Sequence, residues 1–158
     1  MASGKSHAAA SIASAIVLSP IVASWKSDIP AGLMFAVGNL CGVILSPDLD
    51  QQQKTISEAI ISRIPIIGWL FWLYFLPYAW IFPHRSPLTH LPVLGTIIRL
   101  VYLIGPIFIF LFIFANDQLY HLVFHVAPPN TQWFLFGLCT SDTLHWINDG
   151  MPLHGFKN

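Results

Sequence analysis

Residues 91–114 read LPVLGTIIRLVYLIGPIFIFLFIF, an apolar run long enough to cross the roughly 30 Å hydrocarbon core of a bilayer as a helix. A chain with such a run is committed to helices, because lipid offers no water to satisfy an open strand edge or an exposed loop. Pro106 is tolerated inside a packed bundle, and Arg99 stands as a lone charge within the run. Three other stretches follow the same logic. Residues 8–24 are apolar but built from small side chains, which suits close packing against neighbouring helices. Residues 30–46 open on Pro30 and contain Gly38-x-x-x-Gly42, a spacing that lets helix backbones approach. Residues 131–149 begin with the lipid-compatible TQWFLFGLC and end with TSDTLHWIND, which must face protein or water. Residues 64–83 are dense in Trp, Tyr and Phe and are broken by Pro77, which suits a helix at the headgroup level. The expected fold is an all-α membrane bundle of four transmembrane helices plus one aromatic interfacial helix, a single domain over residues 1–158.

Charge supports this class. Only 9% of the residues are charged, against about 25% in a soluble domain, and seven Lys+Arg balance seven Asp+Glu. Without a basic surplus to neutralise phosphates, nucleic acid is not an expected partner. Spans of about 20 residues leave no room in 158 for a separate catalytic domain, so any chemistry sits on the bundle itself. Cys41 and Cys139 each lie alone in an apolar run and form neither a CxxC signature nor a disulfide framework. No small-x-small site precedes Trp25, so the first apolar run is not expected to be a cleaved leader.

With 64–83 in the interface and the other four segments spanning, Lys5, Lys54, Arg63, Arg85 and Lys157 fall on one side and Lys26 on the other. The positive side is expected to be cytoplasmic. The same topology, which rests on the Lys and Arg positions alone, brings His7, Asp48, Asp50, His84, His90, Asp142, His145 and Asp149 to that side. Asp142, His145 and Asp149 are spaced i, i+3, i+7 and share one helix face. Asp48 and Asp50 flank a leucine after Pro47, and both reach one centre if the segment turns. His84 and His90 bracket a proline turn, with Ser86 or Thr89 available as a cap or a supporting partner.

Four carboxylates near the hydrocarbon boundary cost several kcal/mol unless they are protonated, paired or metal-bound. Imidazoles and carboxylates without a thiolate suit a divalent metal, zinc first and Mn or Fe next, and eight donors exceed the needs of one zinc. Two or more ions are therefore expected. Each group also has an ordinary reading: Asp48 and Asp50 as the polar end of a hairpin, His7 as an interfacial residue, His84 and His90 as loop imidazoles. His121 and His125 lie in the opposite connection and read as interfacial packing, and Arg99 either snorkels or pairs with a buried carboxylate.

Gly4-Lys5-Ser6-His7, Pro47-Asp48-Leu49-Asp50, His84-Arg85-Ser86-Pro87-Leu88-Thr89-His90 running into Leu94-Gly95-Thr96 and Arg99, and Asp142-x-x-His145-x-x-x-Asp149-Gly150 span nearly the whole chain in order. In these motifs the chain resembles an uncharacterised metal-binding membrane protein family found mainly in cyanobacteria. In motif order it is similar to the bacterial inner-membrane family of metal-dependent hydrolases, differing at Ser86-Pro87 where that family carries glycine. His145 and Asp149 also resemble the His-x-x-x-Asp element of the helical zinc phospholipase C and P1 nuclease group. The resemblance implies a bacterial inner or thylakoid membrane and a metal-dependent hydrolase acting on a phosphoester or ester, lipids included. Asp50 or Asp142 is then the expected general base, with Arg85 or a second ion stabilising developing charge. The other class of function is a non-catalytic metal-binding membrane protein, an assembly or metal-handling factor. Structural sites are closed and catalytic ones keep a position open, which separates the two.

Overall fold

The computed structural model describes residues 4–51, 56–84, 86–115 and 129–150, and every regular element among them is helical. Arg85, Lys54, Lys157, His121 and His125 lie outside the described residues. In chain order the helices are α1 (Gly4–Lys26), α2 (Ile29–Ile44), a 3₁₀ turn (Pro47–Asp50), α3 (Ile56–Ile61), α4 (Pro65–Ile81), α5 (Pro87–His90), α6 (Pro92–Phe114) and α7 (Thr131–Asn148). Prolines open α2, α4, α5 and α6 in the first turn, where the missing N–H costs nothing.

Helices α1, α2 and α7 form a tight trio, with α6 laid against α7. The Gly38-x-x-x-Gly42 spacing explains the closest contact. A Cβ on Gly38 would strike the Phe134 carbonyl of α7, and one on Gly137 would strike the Phe35 carbonyl of α2. Glycines on both helices thus let the backbones touch. At one end of the trio Lys26 caps the rings of Trp25 and Trp133, and Asn130 donates to Asp28 at 2.9 Å. His7 and His145 stack at the other end, so the trio separates Lys26 from the histidines.

Burial is inverted relative to a soluble protein. The interior holds His7, Asp50, His90, Arg99, Asp142 and His145, while Ile16, Val17, Ile109, Phe112 and Phe114 face outward. That arrangement suits a hydrocarbon solvent. Among the described residues three segments are long and apolar enough to cross a membrane: Gly4–Lys26, Ile29–Asp50 and Pro92–Phe114. These are compatible with a membrane protein. The expected fourth span, α7, has 18 residues, but it turns Ser141, Asp142 and His145 into the bundle and is not among the three. The aromatic helix α4 packs on α6. Tyr74 donates to the carbonyls of Tyr102 and Leu103, and Tyr102 donates to the carbonyl of Tyr74, so each phenol tip finds an acceptor along the neighbouring helix. Leu49, Phe75 and Tyr78 form the apolar core that joins α4 to the 3₁₀ turn.

Candidate metal centre

Each ligand-bearing segment is locally pinned. Ser46 caps the 3₁₀ turn by accepting from the Asp48 N–H at 3.3 Å, and Ser86 caps α5 by accepting from the Leu88 N–H at 3.1 Å. The turn that brings both aspartates round is therefore formed, and the two carboxylates serve neighbouring partners. Asp48 Oδ1 lies 3.6 Å from His145 Nε2 and 3.9 Å from His90 Nε2. Asp50 Oδ1 instead meets His84 Nδ1 at 2.7 Å, and its Oδ2 accepts from the Thr89 hydroxyl at 2.7 Å. On the remaining side, Asp149 reaches His7 Nε2 at 3.3 Å and His145 Nε2 at 3.5 Å, with the His7 and His145 rings stacked at 3.7 Å.

Three groups of donors arise from this: His7, His145 and Asp149; Asp48, His90 and His145; Asp50, His84 and His90. Distances separate them chemically. Two ligands 2.0–2.2 Å from one tetrahedral ion stand about 3.4 Å apart, so the pairs at 3.3–3.9 Å are spaced for a shared cation. The 2.7 Å contact of His84 with Asp50 is a direct hydrogen bond, the length of a carboxylate that orients an imidazole. Burial sharpens the point. His90 Nε2, His145 Nε2 and His7 Nδ1 are buried and have no hydrogen-bond partner. An orphaned ring nitrogen costs about 1–3 kcal/mol, and a divalent cation beside Asp48 would remove that cost at His90 Nε2 and His145 Nε2. The residues present fit such a cation. Burial alone would raise the Asp149 carboxyl, but the charges of the adjacent His145 and His7 imidazoles hold it below the usual carboxylate range. Its contribution to stability is thus present above the ordinary carboxylate value and fades as the pH falls through the lowered one.

Asp142 departs from the expectation that it shares an ion with His145 and Asp149. It accepts hydrogen bonds from Arg99 and Thr96 and joins none of the three donor groups. The reason is electrostatic: Arg99, 2% exposed in α6, needs a counter-charge, and Asp142 supplies it. The other Arg99 nitrogen donates to the Thr89 carbonyl at 3.0 Å, so the pair reaches back to the residue that holds Asp50. Thr96's bond to Asp142, Thr89's link to Asp50 and the fully buried Tyr78, which stands in electrostatic range of Arg99, Asp50 and Asp142, are not signalled by the sequence. Arg99 and Asp142 carried the available signal, as opposite charges inside two apolar stretches.

Helices that turn apolar surface outward and gather imidazoles and carboxylates at one end define a class, helical proteins built to hold a cation at helix ends. The chain belongs to the uncharacterised metal-binding protein family DUF2227, which it matches over residues 2–155. No curated protein and no solved structure matches it.

Proposed function

We propose that the chain is a metal-dependent hydrolase of a membrane-associated phosphoester or ester. Its cation would be held by Asp48, His90 and His145, with Asp149 and His7 adjoining, at the cytoplasmic ends of a bundle in which α7 is a fourth span. The observation that carries this reading is the pair of orphaned buried nitrogens, His90 Nε2 and His145 Nε2, facing one carboxylate oxygen of Asp48. Three protein ligands leave a coordination position open, which is the mark of catalytic zinc. When bound, such an ion lowers the pKa of a water to about 7 and polarises a phosphoryl or acyl oxygen. The protein's own groups do the rest. Asp50 fixes the ring of His84, whose side chain is 36% exposed, so that His84 can take or give a proton at the edge of the site. Thr89 and Arg99 hold Asp50 in that role.

A second reading, metal handling without catalysis, is favoured by the depth of the ligands, since His90 and His145 are only 3% and 4% exposed. Elemental mass spectrometry of detergent-purified protein, with hydrolysis of fluorogenic phosphoesters and lipid esters measured on the same sample, decides between them. The hydrolase reading expects a stoichiometric divalent ion and turnover, both lost in His90→Ala. Stoichiometric metal without turnover of any of these substrates overturns it in favour of metal handling.

A further inference from the structure

Behind the ligands lies space that they do not fill. Ser11 and Ser141 sit one helical turn deeper in the bundle than His7 and His145. Together with Gly42 and Ser46 they line a cavity of about 20 Å³ that reaches His7, Asp48 and His145. A water needs about 10–15 Å³ by this measure, so the cavity admits a water and excludes any organic group. Size alone would not make a site. His145 Nε2, orphaned on a residue 4% exposed, belongs to a ring on the cavity wall, and so does the orphaned Nδ1 of His7. The Ser11 and Ser141 hydroxyls, both buried, meet at 2.7 Å and use one hydroxyl hydrogen between them, which leaves the other to donate. Gly42 keeps the floor open, because a Cβ there would collide with the Ser141 side chain.

We propose that this serine-floored cavity is the seat of the cation's exchangeable ligand, a single water, so that the open coordination position faces the bundle interior and not the membrane surface. The inference rests on the metal reading above and adds a direction to it. A water in the cavity has the two to four polar partners that buried water requires: the cation, the free serine hydrogen and the Asp48 carboxylate. Ser11 and Ser141 then act on the water without touching the cation.

Electron spin echo spectroscopy of protein loaded with one equivalent of Cu²⁺ in heavy water tests this directly, since Cu²⁺ binds such donor sets tightest. The wild type is expected to show the deuterium coupling of a coordinated water. Ser11→Val and Ser141→Val each fill the cavity from a different helix, so a folding failure in one leaves the other to report. Both are expected to keep stoichiometric Cu²⁺ and lose the deuterium coupling, while Ser141→Ala keeps both. Deuterium coupling that persists in the valine variants places the water on the outer side and overturns the inference with the metal reading intact. Wild-type protein that takes up no Cu²⁺, or takes up the same amount in a His90→Ala/His145→Ala variant, overturns the metal reading and the inference with it.

Discussion

The two ends of the α1–α2–α7 trio are built from the same three helices and treat polar groups in opposite ways. At the Lys26 end, the ammonium lies over Trp25 at 4.2 Å and over Trp133 at 5.5 Å, and Asn130 is satisfied by Asp28. This is a closed set. Among the described residues Lys26 and Asp28 each have a partner there, and Trp25 is 70% exposed, which is compatible with an aromatic residue at a membrane interface. At the histidine end the polar groups are more numerous and more deeply buried, yet three ring nitrogens find no hydrogen bond. The comparison teaches how to read a polar cluster in a bundle. Self-satisfied groups mark an anchor, and buried groups that carboxylates surround without satisfying mark a place for a cation.

The contrast breaks most easily at the ligands. Replacing His90 and His145 together with alanine should abolish stoichiometric metal binding in calorimetric titration, whereas the same change at Trp25 and Trp133 should leave it intact. Next in size is the buried pair that supports the site. Arg99→Ala leaves Asp142 uncompensated and should cost about 3–5 kcal/mol of stability, seen as a lowered denaturant midpoint in detergent. Arg99→Met with Asp142→Leu should recover most of that loss, because the charge is removed from both sides. Asp50→Asn keeps the shape of the residue that orients His84 but removes its charge. It should weaken metal affinity about 10–100-fold, the usual effect of losing an orienting carboxylate, with little change in stability. At the anchoring end, Lys26→Ala removes an exposed cation–π contact worth about 0.5–1 kcal/mol and should leave the metal isotherm unchanged. An altered isotherm in Lys26→Ala would show that the two ends are coupled and would weaken the comparison.

Much of this was legible in the sequence because membrane chemistry leaves few choices. Apolar runs of spanning length dictated helices, and the clustering of His7, Asp48, Asp50, His84, His90, His145 and Asp149 followed from placing their motifs at helix ends. Helical spacing misled at Asp142. It shares a face with His145 and Asp149, but a residue at the border of a face can turn to a neighbouring helix, and the pull of Arg99 decides the matter. The division of labour between the two aspartates of the 3₁₀ turn was not legible either. It depends on where Thr89 and His84 arrive from a segment far along the chain, which local spacing does not encode. The interfacial placement of α4 rested on composition alone, and Tyr102, the residue that ties it to α6, carries no periodic signal in an all-apolar run.

Gly38 and Gly137 have a consequence for precision. Backbone pressed on backbone is the least deformable contact two helices can make, so these glycines act as an alignment gauge for everything one or two turns further along. A slip of α7 by one residue would carry His145 about 1.5 Å along the axis and about 100° around it, out of reach of Asp48. Mutational tolerance should therefore be narrower at two residues that bear no side chain than at several that bear a ligand's neighbour. The dimensional accuracy of the donor cluster is set by where α2 and α7 have nothing between them.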